Sequence, residues 1–359
     1  MAQFSHQWPA GSLQNLHSSN PQPFDWQELE ALIDTDLSDQ LNSTPLAYES
    51  TQGDKTLREL ISHQYYSDRS PDEIAMTSGA QEGLFLVMNA LLTTGDHAIT
   101  FTPCFEPLVT VAKNTGAEVT TLSLLADQNW SINWQQLENS FRNNTRLLII
   151  NFPHNPTGCH INQAELQRLI QLCEQHNCWL LSDEVFRGLE HQPEDRLPAA
   201  SDLYPKAISL GVMSKAHALP GIRLGWLCTQ NMVLIQKLLT IKSHLSICQS
   251  SLDAHICKAI IPHSQKIWQR NLAIIKQNKT QLQSSIKNHP TFHWQKPKAS
   301  ATCFIQLKNQ SAMAFTTRMA DEHQWLLMPN DMFLSQHQGF RLSLGIKPTS
   351  FDLIKLIKL

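Results

Sequence analysis

Two cations eight residues apart, Lys215 and Arg223, follow an apolar run near the middle of the chain. The run Ile-Ser-Leu-Gly-Val-Met-Ser leads into Lys215, and a Pro-Gly turn separates this lysine from Arg223. A desolvated lysine beside a second cation has a lowered pKa, so its neutral amine can attack a carbonyl carbon. The planar guanidinium group suits a phosphate. Taken alone, a Ser-Lys pair before a loop more often marks a solvated lysine.

Two further polar side chains lie at the ends of apolar runs upstream of this lysine. Asn155 belongs to the string Asn-Phe-Pro-His-Asn-Pro-Thr-Gly, in which prolines make the turn rigid, and Asp183 ends the run Trp-Leu-Leu-Ser-Asp. An aspartate that stays ionised in an apolar pocket needs a cation beside it. A protonated pyridine nitrogen would be such a cation.

The string Thr-Ser-Gly-Ala-Gln-Glu-Gly at 77–83 follows a strand-like run and opens a helical one. Small residues let backbone amides approach a ligand, and a helix N-terminus favours an anion, so a phosphate could lie on the amides of Ala80 and Gln81. A tight turn without a ligand is the simpler alternative. Phe105, after the next strand, offers an aromatic face at the same edge, although core packing would explain it equally well.

Strands and helices alternate beyond Pro71, which is typical of a mainly parallel sheet with helices on both faces. The predicted strands are 74–77, 98–101, 118–122, 147–151, 179–182, 207–210 and 224–228, and the main helices between them are 81–92, 106–115 and 163–176. Ligands bind at the carboxyl ends of the strands in such sheets, and the polar motifs all fall at such ends.

The pattern changes after about Ser250. Two long polar helices, 252–264 and 265–287, precede short strands, a helix near 313–322, a strand at 340–344 and a final short helix. The first 45 residues form an irregular arm with a short helix at 25–36. We therefore predict a large domain over 46–250 and a smaller α+β domain built from 1–45 and 251–359.

The order of amide cradle, aromatic ring, Asn, Asp, Lys and Arg resembles the fold-type I pyridoxal-phosphate (PLP) enzymes, specifically the class I and II aminotransferases. The resemblance runs from about Tyr48 to Arg341, and its sharpest motifs are Asn-Pro-Thr-Gly at 155–158 and Ser-Lys followed by Gly-x-Arg-x-Gly at 221–225. It implies an α/β fold whose large domain has a mainly parallel seven-stranded sheet sandwiched by helices, with a smaller α+β domain beside it.

The resemblance also implies roles for single residues. Lys215 would bind the cofactor as a Schiff base and then move a proton between the substrate and the cofactor, while Asp183 would keep the pyridine nitrogen protonated. Arg341 would clamp the substrate carboxylate, with Asn155 beside it. The other implied contacts are Asn155 at the phenolic oxygen, Phe105 stacked on the ring, Ala80, Gln81 and Arg223 at the phosphate, and Phe186 and Ser214 elsewhere around the cofactor.

Two positions depart from the family pattern. The family usually has a tyrosine where this chain has Phe186, and that tyrosine donates a second hydrogen bond to the phenolic oxygen. It commonly has Ser or Thr as a phosphate ligand where this chain has Val212. We therefore expect a site with two fewer polar contacts than usual.

Tyr48, five residues before Gly53, matches a family tyrosine that reaches the phosphate bound by the other subunit. The resemblance therefore implies a homodimer with composite active sites.

Three functions are compatible with these residues. The first is an aminotransferase acting on an α-amino acid and a 2-oxo acid. The second is a PLP enzyme for elimination, replacement or cyclisation, because Leu-Gly-Val-Met-Ser-Lys, Ser-Asp-Glu-Val-Phe-Arg-Gly and the string at 242–250 are similar to a subgroup that includes capreomycidine synthase. The third is a non-catalytic PLP-binding module, which the intact Lys215, Asp183 and Arg341 disfavour.

Composition and charge are those of an ordinary globular protein. The 359 residues are 42% hydrophobic and 16% charged with a net charge of −3, which gives no reason to expect nucleic acid or a membrane. The eight cysteines include no Cys-x-x-Cys pair and the histidines no His-Glu-x-x-His motif, so neither a disulfide framework nor a metal site is expected. The N-terminal residues resemble no signal peptide, and we expect a cytoplasmic protein.

Overall fold

The computed structural model describes residues 2–9, 11–42, 44–67, 69–287 and 289–347. The final short helix expected near the end of the chain lies outside these residues. The strands in chain order are β1 (Gln14–Asn15), β2 (Ile74–Thr77), β3 (His97–Thr102), β4 (Glu118–Ser123), β5 (Thr145–Asn151), β6 (Trp179–Asp183), β7 (Ala207–Val212), β8 (Gly225–Cys228), β9 (Phe292–Trp294), β10 (Thr302–Leu307), β11 (Trp325–Leu326), β12 (Met328–Pro329) and β13 (Gly339–Ser343).

The α-helices surround these strands. In chain order they are α1 (Ala2–Ser5), α2 (Trp26–Ile33), α3 (Leu37–Asn42), α4 (Lys55–Tyr65), α5 (Ala80–Leu91), α6 (Pro107–Asn114), α7 (Trp134–Ser140), α8 (Gln163–Gln175), α9 (Ala200–Leu203), α10 (Met232–Ser243), α11 (Ser251–Ile260), α12 (Ser264–Ile286) and α13 (Ala312–His323).

The large sheet has seven strands in the order β2-β8-β7-β6-β5-β3-β4. Strand β8 runs antiparallel to both of its neighbours, and all other pairings are parallel. The strands predicted from the sequence are these same seven, so the expected mainly parallel α/β fold is confirmed.

The sheet lies between two apolar layers. In β5, Leu147 and Ile149 pack into one hydrophobic cluster, and Leu148 and Ile150 pack into another. Alternate side chains of a strand point to opposite faces, so a strand covered on both faces needs a continuous apolar run. The apolar runs of β5 and β6 meet this requirement, and both strands end in a polar residue, Asn151 and Asp183.

Helix α11 ends earlier than the sequence pattern suggested. It stops at Ile260, and Ile261–His263 form a 3-10 turn that contains Pro262 before α12 begins. Proline has no N–H to give to the α-helical ladder, which explains the break.

A second, antiparallel sheet has the order β12-β13-β10-β9. The N-terminal arm lies against the same part of the protein, because β1 pairs with β11 in parallel and the Ser343 N–H donates to the Leu16 carbonyl at 2.8 Å. These contacts support the division into 46–250 and 1–45 with 251–359, which stays a prediction. None of the helices in the described part of the chain is long and apolar enough to span a bilayer.

Candidate active site

The carboxyl ends of three adjacent parallel strands bring separate polar motifs together. Asp183 is the last residue of β6 and is paired in register with Asn151, the last residue of β5. Lys215 follows the end of neighbouring β7 by three residues. Arg341 comes from β13 of the smaller sheet. The site is therefore assembled from both sheets.

Lys215 is half-buried beside both polar and aromatic groups. Its Nζ donates to the Ser19 hydroxyl at 2.6 Å and lies 5.9 Å from the centre of the Phe186 ring. Burial lowers the pKa of Lys215 to about 8, and Arg341 and Arg223 act in the same direction while Asp183 opposes them. A large fraction of this amine is therefore neutral near pH 8, as nucleophilic attack requires.

Asp183 is buried, with 4% of its surface exposed. The Val185 N–H donates to its carboxylate at 3.2 Å. Burial raises the pKa of Asp183 to about 7, although the backbone N–H and Lys215 lower it. A carboxylate in this position gains stability from an additional cation, because the cation offsets the cost of burial.

Arg341 is buried to the same extent, at 4% exposed. Its Nε donates to the His17 carbonyl at 2.8 Å, its Nη1 to Asn155 Oδ1 at 2.9 Å, and its Nη2 to His17 Nδ1 at 3.2 Å. Burial lowers the pKa of this guanidinium to about 9. Within the described ranges, no carboxylate lies within ion-pairing distance of Arg341.

Asn155 links the two sheets. Its backbone N–H donates to Asn151 Oδ1 at 3.0 Å, and Asn151 Nδ2 donates to the Asp183 carbonyl at 3.0 Å. Since the side-chain oxygen of Asn155 accepts from Arg341, the amide NH₂ is the part that can donate to a ligand.

The turn before α5 brings Arg223 against the N-terminus of that helix. Gly79 has φ +81°, and a Cβ placed there would lie 2.6 Å from Arg223 Nη2, so the arginine lies directly against the backbone. The first amides of α5, those of Ala80 and Gln81, have no partner within the helix. Arg223 Nη1 also donates to the Ser214 hydroxyl at 3.3 Å. A cation, a helix N-terminus and a hydroxyl thus adjoin one another.

For the remaining predicted site residues, the structure gives positions but no contact that assigns a role. Phe105 lies partly buried after β3, and Phe186 is 1% exposed. Val212 is buried at the end of β7 and brings no hydroxyl, while Tyr48 is 84% exposed. Contact of each of these residues with a cofactor stays a prediction.

Sequence reasoning missed His17 and Ser19. These residues lie 324 and 196 positions away from their partners Arg341 and Lys215. They belong to an arm without helical or strand periodicity, so no local pattern indicated them. Asn151 was also missed, although a polar residue ending a buried strand was a usable signal.

The chain matches the family model described as aminotransferase class I and II over residues 15–353. It is 25% identical to the aspartate aminotransferase of Thermotoga maritima over 82% of this chain and 78% of that protein. It is also 25% identical to the capreomycidine synthase of Streptomyces vinaceus, covering 82% and 74%.

Among solved structures, a PLP-dependent aminotransferase from Streptococcus suis superposes with a TM-score of 0.90 at 27% identity, covering 97% of this chain and 92% of that one. The family and this structure imply PLP as the cofactor. The chain therefore belongs to the class I and II aminotransferase family, as its motifs predicted, and is a transferase of that family.

Proposed function

We propose that the protein moves the amino group of an α-amino acid to a 2-oxo acid with PLP as its cofactor. The observation that carries this proposal is the convergence of Lys215, Asp183 and Arg341 at one buried place. A buried guanidinium without an anionic partner among the described residues is costly, and a substrate carboxylate would offset that cost. An amino acid and a 2-oxo acid both carry such a carboxylate.

The residues fit PLP at each of its polar ends. The α5 N-terminus with Arg223 and Ser214 suits the phosphate, since amides and a guanidinium favour an anion. The buried Asp183 suits a protonated pyridine nitrogen, and the Asn155 amide can donate to the phenolic oxygen. When bound, PLP supplies an electron sink for a bond broken at the substrate α-carbon.

The chain supplies orientation and proton handling around that sink. Arg341 would hold the substrate by its carboxylate in a bidentate pair. The neutral amine of Lys215 would accept a proton at Nζ and return it, and its lowered pKa of about 8 keeps both forms accessible near neutral pH. The buried ring of Phe186 lies 5.9 Å from this amine and offers it no proton donor or acceptor.

Elimination, replacement or cyclisation of an amino acid is the second candidate. It is favoured by the similarity to capreomycidine synthase, which is 25% identical to this chain, as is the aspartate aminotransferase from Thermotoga maritima. The residues proposed to hold the cofactor would serve this chemistry as well as transamination, so they do not distinguish the two candidates.

Exposed apolar side chains support a homodimer. Tyr48 and Leu46 are each 84% exposed, and Leu245 and Ile247 are 53% and 48% exposed. The two pairs belong to adjoining segments, because Lys242 Nζ donates to the Thr51 carbonyl at 2.9 Å. Apolar groups grouped in this way favour a protein partner, and we infer a second copy of this chain.

A substrate panel tests the function. The holoenzyme is mixed with single amino acids, including aspartate, arginine and kynurenine, with or without a 2-oxo acid. Transamination predicts release of the matching 2-oxo acid without ammonia, whereas ammonia or a cyclised product supports the second candidate.

Borohydride reduction followed by peptide mapping should place the cofactor label on Lys215 and leave Lys215→Ala unlabelled. A label on another lysine would overturn the proposal.

Removing the guanidinium should weaken substrate binding and spare the cofactor. We expect Arg341→Ala to raise KM for the amino acid by roughly 10- to 100-fold, because charged hydrogen bonds are lost. Arg341→Lys keeps the charge but loses the planar fork of the guanidinium, so its KM should lie between those of the native enzyme and Arg341→Ala. Steady-state kinetics and cofactor absorbance measure both effects, and an equal loss of cofactor would show a merely structural arginine.

Introducing a hydroxyl at position 186 should change the pH at which the bound cofactor titrates. A hydroxyl that donates a hydrogen bond to the ionised phenolic oxygen of the cofactor stabilises that anion. The imine proton beside this oxygen is then lost at lower pH. We expect Phe186→Tyr to lower the titration midpoint of the visible band by about one to two pH units. Phe105→Tyr, predicted to lie over the ring, is the control. An unchanged midpoint in Phe186→Tyr would mean that this position does not face the phenolic oxygen.

Mixed dimers test the shared site. In a hybrid of one Tyr48→Phe chain and one Lys215→Ala chain, one site receives native Lys215 and the partner chain's native tyrosine. Mixing the two inactive or weakened variants under conditions of subunit exchange should therefore give more activity than either alone. Full activity of a monomeric species in sedimentation experiments would contradict the prediction.

A further inference from the structure

The N-terminal arm is fixed next to the candidate active site by backbone hydrogen bonds. The Leu16 N–H donates to the Leu326 carbonyl at 3.0 Å, and the Leu16 carbonyl accepts from the Ser343 N–H at 2.8 Å. Ser343 is two residues from Arg341 on β13. Backbone hydrogen bonds therefore tie the arm both to β11 and to strand β13 of the smaller sheet.

Two residues of this arm contact the two cations of the site. The His17 carbonyl and Nδ1 accept from Arg341 at 2.8 and 3.2 Å. Burial lowers the pKa of His17 to about 3, so its ring is neutral and can accept. Two positions further on, the Ser19 hydroxyl accepts from Lys215 Nζ at 2.6 Å.

We propose that Ser19 is a positioning residue for Lys215, and that its hydroxyl fixes the direction of the free amine that takes up and returns the proton. This inference rests on the proposed function of Lys215. The arm acts through the lysine and has no chemical step of its own.

The reason lies in the freedom of the lysine side chain. An ammonium on a flexible four-carbon stem has three donors and no fixed direction, so a single short hydrogen bond decides where Nζ points. The charged groups that act on this amine are Arg341 and Arg223, which lower its pKa, and Asp183, which raises it. Ser19 adds a neutral acceptor, which stabilises the protonated amine without adding another charge.

The neighbouring serine offers a matched control. The Ser18 hydroxyl donates to Asn20 Oδ1 at 2.8 Å, a contact within the arm itself. Ser18→Ala therefore removes a hydroxyl from the same segment and leaves the contact to Lys215 in place. Ser19→Thr keeps a hydroxyl at the position under test.

The first measurement needs no catalysis. In full-length protein freed of cofactor, the rate of acetylation of Lys215 by acetic anhydride is followed against pH by peptide mass spectrometry. The midpoint is the pH at which the acetylation rate is half-maximal. Because Ser19→Ala removes an acceptor for the ammonium form, this midpoint should fall by about one pH unit. Ser18→Ala and Ser19→Thr should behave like the native protein. A native midpoint in Ser19→Ala would overturn the proposal.

The second measurement uses the holoenzyme. Ser19→Ala should lower kcat about tenfold or more, the worth of a hydrogen bond to a charged group. KM for the amino acid should change by less than about threefold, because the contacts of Arg341 remain. An equal loss in Ser18→Ala would show a general effect of the arm and overturn the role of Ser19. A borohydride label away from Lys215 would instead refute the proposed function, while the acetylation midpoints would still report on the contact.

Discussion

The candidate active site depends on the burial of ionisable groups that have too few opposite charges beside them. Arg341 and Arg223 both act on Lys215 and lower its pKa, and the Asp183 carboxylate raises it. Burial pushes the pKa values of Lys215, Arg341 and Asp183 towards their neutral forms. Such a site is costly as it stands and is stabilised by ligands that bring anions to its cations and a cation to its carboxylate. A cofactor with a phosphate and a pyridinium, and a substrate with a carboxylate, meet all of these needs.

The large sheet makes this arrangement possible by placing polar groups where its apolar layers end. Asn151 and Asp183 are in register on adjacent strands, and the side chain of Asn151 bonds both the Asp183 carbonyl and the Asn155 backbone N–H. The rigid turn that carries Asn155 is thereby tied to the strand that carries Asp183. Asn155 then accepts from Arg341, which connects the large sheet to the smaller one.

Much of this could be predicted because it is encoded locally. The alternation of strand-like and helical patterns indicated the seven strands, and the polar residues at or shortly after the strand ends included Asp183 and Asn155. Lys215 was found in the same way, just beyond β7. The family resemblance added Arg341, whose surroundings in a short strand gave little signal of their own.

The rest could not be predicted, since it depends on contacts between distant segments. The arm residues His17 and Ser19 carry no periodicity, and their partners lie 324 and 196 positions away. The break after α11 depends on Pro262 and was misplaced by a few residues. Apolar substitutions at Phe186 and Val212 were visible in the sequence, but only the fold shows that the Phe186 ring lies 5.9 Å from the lysine amine.

The coupling between Arg341 and Lys215 gives the site a physical means of responding to substrate. Arg341 is the largest charge effect that lowers the pKa of Lys215, second only to burial. A substrate carboxylate paired with Arg341 would offset the positive charge of the guanidinium, and the field that it exerts on the amine would weaken. The amine of Lys215 would then become a stronger base when a carboxylate occupies the clamp. Arg341 belongs to the smaller sheet and Lys215 follows a strand of the larger one, so the strength of this effect would depend on the distance between the two sheets. The arm bridges the two cations at this point, because His17 accepts from Arg341 and Ser19 accepts from Lys215.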